Sequence, residues 1–282
     1  MTKVKIITDS TARLTPEEVA QYDISVVPLT VMIDGTVYHD GVSITPSEFI
    51  EKMAASKNLP TTSQPSLGAF TEVYETVPED VEVLSLHLTH HLSGTVQAAE
   101  QAARLVPHDI VVRDSNYIDR ALAAQVLVAG RMAQAGASRD EILAELQRVE
   151  DNTELYLTVT TLKNLVAGGR LSKASGLIGT LLDIKLGAHV PLGKIMMEVK
   201  GRGKKTIKGY QDLIFERMHA EPNGIAVIGI SHADAAEEAE QLAARARDEF
   251  PEAIVDIAET TTIESTHAGP GAMGISYLKN YA

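Results

Sequence analysis

Short β-branched runs alternate with capped helical segments from the first residues onward, and that alternation restricts the fold more than any other feature of the sequence. VKIIT (4–8) has the character of a buried strand. LTPEEVAQY follows, with Thr15 placed as N-cap, Pro16 at the first helical position and Glu18 closing a capping box. Thr45-Pro46-Ser47-Glu48 repeats the same chemistry. Between the two, ISVVPLTVMIDGTVYHDG reads as extended chain that turns at Asp34-Gly35, a pair suited to the positive φ of a tight hairpin. Further strands are predicted at 81–88, in DIVVRDS and in ELYLTVTT, with helices over roughly 96–105, 119–135 and 138–149. Strand and helix in alternation predict an α/β fold, its N-terminal part a mostly parallel sheet flanked by helices.

The second half is less regular at first. TLKNLVAGGRLSKASGLIGTLLDIK is helix-like but broken at Gly168-Gly169, and HVPLGKIMMEVKGRGKKTIKGYQDLIFERM reads as strands around a basic turn. GIAVIGI, a helix at 234–249 and AIVDIAE then form one strand-helix-strand unit. The expectation is two domains, 1–155 and 156–282, both α/β, the second with a mixed sheet, and a boundary uncertain by about ten residues. No low-complexity linker separates them, so close packing is expected.

Composition removes several functions. The 282 residues include no cysteine, which excludes a disulfide framework, a thiolate metal site and a thiol nucleophile. The net charge of −13 opposes nucleic-acid binding, despite the local basic stretch KGRGKKTIK at 200–208. Aromatics make up 4% of residues and tryptophan is absent, leaving little material for stacking platforms. MTKVKIITDS runs straight into the first strand without a signal-peptide core, and no apolar stretch is long enough to span a bilayer. A cytoplasmic location is expected.

Hydroxyl-bearing turns follow three predicted strands: Asp9-Ser10-Thr11, Ser93-Gly94-Thr95 and Asp114-Ser115. Each alone is an ordinary cap or Asx turn. If the strands are neighbours, however, the turns share the carboxyl edge of one sheet, where open α/β folds bind ligands. TTSQPS (61–66) can return to that edge. ESTHAGPGAMGISY (264–277) is read as a glycine-rich loop that brings His267 to the same socket. The turn at HLSGT, opening a helix, suits an anion.

Other signals carry less. GPGAMG (269–274) matches a dinucleotide fingerprint literally, but only eight residues follow it, too few for the rest of a βαβ unit. There is no Walker A sequence, so no kinase activity of the chain's own is expected. His87, His90 and His91 lack the carboxylate spacing of a metal centre. A serine hydrolase would use Ser93 as nucleophile, His267 as base and Asp114 or Asp9 as orienter, but Ser93 is outside any G-x-S-x-G elbow.

Taken in order, ITDSTARL, TTSQPS, HLSGT, RDS, AGGR and THAGPGAMG resemble the DegV family of bacterial proteins from end to end. The resemblance implies two α/β domains with a tunnel between them that encloses a long-chain fatty acid. It implies the binding subunit of a fatty acid kinase, serving phospholipid metabolism, with a separate ATP-binding subunit that phosphorylates the carboxylate. It assigns the carboxylate to Thr61 or Thr62, Ser93 and His267, aided by Gly94 and Thr95. Arg170 and Arg202 match positions near the mouth and the kinase-facing surface. No catalytic residue, metal or cofactor is implied beyond the acid itself, and transient membrane contact fits such a carrier. An acyl-ester hydrolase and an acyl-chain-sensing regulator are the alternative readings.

Overall fold

The computed structural model describes residues 3–171 and 184–281. The break at 168–169 falls within this range, but the rest of the helix-like expectation, 172–183, lies outside the described residues.

Three sheets account for the strands. The first contains β1 (Val4–Asp9), β2 (Ser25–Val27), β6 (Glu82–His87) and β7 (Ile110–Asp114), in the order β2-β1-β6-β7 and parallel throughout. Consecutive residues Ile6 and Ile7 of β1 are both buried, as a sheet covered on both faces requires. On one side, α3 (Leu67–Glu75) and α4 (Thr95–Ala103) bring Phe70, Tyr74, Ala98 and Ala102 against Ile7, Val27 and Val83. On the other, α5 (Asp119–Gln134) and α6 (Arg139–Asp151) pack Leu122, Val126, Ile142 and Leu146 on Ile6, Leu84 and Leu86. The capping boxes at α1 (Pro16–Gln21) and α2 (Pro46–Ala55) form as the sequence predicts.

The second sheet is mixed, in the order β10-β9-β8-β13-β11-β12. Its strands are β8 (Thr153–Val159), β9 (Lys185–His189), β10 (Met196–Gly201), β11 (Ile225–Ala233), β12 (Ile254–Glu259) and β13 (Ala272–Lys279), and the β11–β12 pair is parallel. α8 (Lys204–His219) and α9 (Ala236–Glu249) cover one face, with Tyr210, Ile214, Met218 and Ala243 in its core. The opposite face turns toward the first sheet. α5 lies between the two, its core reaching Leu278 of β13 as well as Ile6 of β1. The expected domain boundary at 155 falls inside β8, all of which pairs within the second sheet.

A small third sheet, β4-β3-β5, packs beside α2. β3 (Thr30–Ile33) and β4 (Thr36–His39) form the predicted hairpin, with positive φ at Asp34 (47°) and Gly35 (84°). TTSQPS, given no secondary structure from the sequence, begins with β5 (Thr61–Ser63), which pairs antiparallel with β3, Thr62 opposite Val31.

Two corrections concern the second half. The stretch after the basic turn is helical, because Tyr210, Ile214 and Met218 recur every four residues on the buried face. Gly203, at φ 80°, makes the sharp entry that separates α8 from β10. His267 lies on a helix, α10 (Thr262–Ala268), and not in a loop; α7 (Lys163–Ala167) packs beside it. Asp40 fixes the start of α10, its Oδ1 accepting from the Thr262 backbone N–H at 3.1 Å and the Thr262 hydroxyl at 2.7 Å.

Candidate functional site

β1, β6 and β7 are neighbours, so the turns that follow them do share one edge of the parallel sheet. A cavity opens there, with about 950 Å³ of atom-free space when the open solvent at its mouth is counted. Leu88, Leu92 and Ile118 contribute from the first sheet's side, Leu155, Val190 and Met273 from the second, and Ile263 and Ala268 from α10. The wall is mostly aliphatic, and polar groups gather at two places.

The first place is near the end of α10. Thr62 Oγ1 lies 2.8 Å from His267 Nε2, and both residues line the cavity with Ser93, Gln64 and Arg170. Alternation along β5 turns Thr62 inward and leaves Thr61 exposed, so of the two it is Thr62 that lines the cavity. Ser93 Oγ is 2.9 Å from the buried Thr95 Oγ1, at the start of α4, where Gly94 occupies the N-cap position without a side chain. Thr89 holds this turn, its carbonyl accepting from the Leu92 and Ser93 N–H groups. Arg170 Nε donates to the Leu92 carbonyl at 3.1 Å and Nη1 to the Gly168 carbonyl at 2.7 Å, so the guanidinium spans the rim. Arg202 is exposed at the β10–α8 turn and is not among the cavity-lining residues.

His267 Nδ1 is buried and has no hydrogen-bond partner among the described residues. A Cβ on Gly168 would collide with it, so only glycine permits this approach of α7 to the ring. Burial, and secondarily the positive charge of Arg170, pulls the imidazole down to about 4 from its usual 6.5. The ring is therefore neutral at pH 7, with one nitrogen donating and one accepting. In the unfolded chain the same ring takes up its proton as pH falls past 6.5. Its contribution to stability is thus fully present above pH 6.5 and lost as pH falls to about 4. His267→Gln is expected to flatten that loss, measured as the urea midpoint of ligand-free protein across this interval.

The hydrolase geometry does not assemble. His267 bonds to Thr62 and not to Ser93, and no described carboxylate stands behind its Nδ1. Asp114, the first expected orienter, bonds to His90 Nδ1 at 2.5 Å. Asp9, the second, lies 3.0 Å from His87 Nδ1, while His87 Nε2 is 2.7 Å from Ser85 Oγ. That Asp-His-Ser chain resembles a triad but is sealed in the core, all three residues at 0% exposure, where it ties β1 to β6.

Of the second polar place, only Thr11 is among the socket residues expected from the sequence. Thr11, Asp119, Ser231, Thr260 and Glu264 also line the cavity. Asp119 Oδ1 accepts from Arg13 Nε at 3.0 Å and Ser231 Oγ at 2.7 Å, and Oδ2 accepts from Thr260 Oγ1 at 3.1 Å. The available signal was the i, i+3 spacing of Glu264 and His267, visible once the segment is read as a helix.

Known proteins resemble this chain along nearly its whole length. The family model described as "Uncharacterised protein, DegV family" matches residues 3–280. The DegV domain-containing protein YejH of Lactococcus lactis is 42% identical over 273 residues, covering 96% of this chain and 98% of that protein. Among solved structures, a fatty-acid-binding DegV family protein from Thermus thermophilus is 31% identical with TM-score 0.86, covering 99% of this chain and all of its own. DegV from Bacillus subtilis, described as a fatty acid binding protein, is 29% identical with TM-score 0.89 and the same coverage. The Streptococcus pneumoniae Fatty Acid Kinase (Fak) B3 protein, solved with linoleic acid, is 25% identical with TM-score 0.84, again covering 99% and 100%. The chain belongs to the DegV family.

Proposed function

We propose that the protein binds one long-chain fatty acid between two lobes, one built on each large sheet, and presents its carboxylate to a separate ATP-dependent kinase subunit. The observation that carries this reading is the neutral hydroxyl and imidazole group of Thr62, Ser93 and His267 at one end of an aliphatic cavity. Burying about fifteen methylenes contributes roughly 12 kcal/mol of gross transfer free energy before ordering costs. The tail supplies the affinity and the polar end sets direction. Hydroxyls can donate to a carboxylate or accept from the protonated acid. Gly94 and Thr95 shape the start of α4 beside the headgroup, and Arg170 and Arg202 belong to the partner-facing surface.

In this reading the chain is a carrier without catalytic residues, working in the cytoplasm and meeting membranes transiently. Among the described residues, no helix is long and apolar enough to cross a membrane. The kinase step has further support in the likeness to the pneumococcal protein named for a fatty acid kinase.

Delipidated protein titrated with palmitate should bind one equivalent, and Ser93→Ala should weaken binding by about tenfold, the worth of one net hydrogen bond to a charged group. Acyl phosphate should form when ATP and a kinase subunit from the same genome are added. Lack of palmitate binding would overturn the carrier reading; binding without acyl phosphate would overturn the kinase step.

A further inference from the structure

Glu264 lines the cavity, yet in the ligand-free protein neither of its carboxyl oxygens reaches solvent or meets a hydrogen-bond partner among the described residues, so a ligand meets them by a turn of the side chain toward the hollow. A buried polar group in that state is costly unless something arrives to satisfy it. Its neighbours are already committed. The hydroxyls of Ser231 and Thr260 both donate to Asp119, which also receives Arg13 and the Arg120 backbone N–H at 2.8 Å. Burial, reinforced by the carboxyl groups of Asp119, Asp40 and Asp9, holds Glu264 well above the usual carboxylate range. A protonated carboxyl offers both a donor and an acceptor.

Position narrows what that group can meet. Glu264 and His267 are three residues apart on α10 and both line the cavity, so they occupy one face of that helix. The helical rise sets them about 4.5 Å apart along the axis, so an extended chain that has its carboxyl group at His267 and runs along α10 toward Glu264 would pass it at roughly the third to sixth carbon. A plain saturated chain would pass Glu264 with methylenes and leave it unsatisfied.

We propose that Glu264 forms a second polar subsite that takes an oxygen substituent on the acyl chain, a hydroxyl or keto group a few carbons from the carboxyl end. This rests on the fatty-acid reading above and narrows its ligand to oxygenated acyl chains. The selectivity is that of a site built to hydrogen-bond a substituent, which discriminates against the analogue lacking it.

The test titrates delipidated wild type, Glu264→Gln and Glu264→Leu with palmitic acid and 3-hydroxypalmitic acid, with 12-hydroxystearic acid as a chain whose oxygen lies beyond reach. Wild type should prefer the 3-hydroxy acid over palmitate by about fivefold to tenfold. Glu264→Gln, which keeps a donor and an acceptor, should retain the preference. Glu264→Leu should reverse it, chiefly by gaining palmitate affinity, and 12-hydroxystearate should gain nothing from Glu264. Binding of both sixteen-carbon acids with the same ratio in wild type and Glu264→Leu overturns the subsite alone. Failure of either acid to bind the wild type overturns the fatty-acid reading and this inference with it.

Discussion

Asp119→Ala is expected to destabilise the protein by about 3–5 kcal/mol, because it removes the shared acceptor of a buried ionic network and strands its donors. Asp119 and the Arg13 side chain are 5% and 8% exposed, so solvent cannot take over the lost contacts. The carboxylate receives Arg13 from the turn after β1, Ser231 from β11 and Thr260 from the end of β12, which joins the first sheet to the second. Arg13 also pairs with Asp256 of β12, and Arg120 bridges Glu18 and Asp256 at 2.8 and 3.0 Å. Asp119 itself sits at φ 55°, a conformation aspartate tolerates better than alanine. At about 2–4 °C per kcal/mol for a chain slightly smaller than this, the thermal midpoint should drop by roughly 10 °C. Asp119→Asn keeps the backbone preference and part of the hydrogen bonding, so it should fall between. A loss below about 1 kcal/mol for the alanine variant would mean that the network does not tie the sheets together.

The second large effect concerns the cavity. Ala268→Phe on α10 and Val190→Phe beyond β9 place a phenyl group into the hollow from two walls. If the tail runs through this space, blocking half of it forfeits about 6 kcal/mol of methylene burial, so palmitate affinity should fall by well over a hundredfold in each variant. Ala268 and Val190 are themselves buried in packed clusters, so a stability cost within the usual range of about 1–3 kcal/mol for overfilling a core is expected alongside the loss of affinity. Melting curves of delipidated protein check the fold, and titration checks the affinity. Folded variants that bind palmitate as wild type does would place the tail elsewhere.

What the sequence disclosed was local. The capping boxes of Thr15 with Glu18 and Thr45 with Glu48, and the Asp34-Gly35 hairpin, are complete within four residues, and all three form. Strand-helix alternation revealed the parallel sheet because its central strands β1 and β6 are buried on both faces. The segments misread or left unassigned depend on distant partners. α10 is seven residues long, opens with β-branched residues and has its start held by Asp40, 222 positions earlier, so the Thr-His segment read as loop. Thr61–Ser63 becomes a strand through its pairing with β3, a contact that composition does not encode. α8 begins after a glycine without a side-chain cap, which removed the usual helix signal and let the preceding strand pattern dominate. Of the candidate site, the segments carrying Thr62, Ser93, Gly94, Thr95, Arg170 and His267 were named from the sequence, whereas the contact of Thr62 with His267 was not. The choice of Thr62 over Thr61 required the strand, and Glu264 required both the helix and the burial of its carboxyl group.

Palmitate labelled with ¹³C at the carboxyl carbon, titrated into delipidated protein and followed by carbon NMR, addresses the headgroup directly. One resolved bound resonance is expected, saturating at one equivalent and moving in Ser93→Ala, Thr62→Ala and His267→Gln but not in the exposed Thr61→Ala. A resonance that stays at the position of free or micellar acid, or one indifferent to all three inward-facing substitutions, would contradict the assignment of the carboxyl group to this end of the cavity.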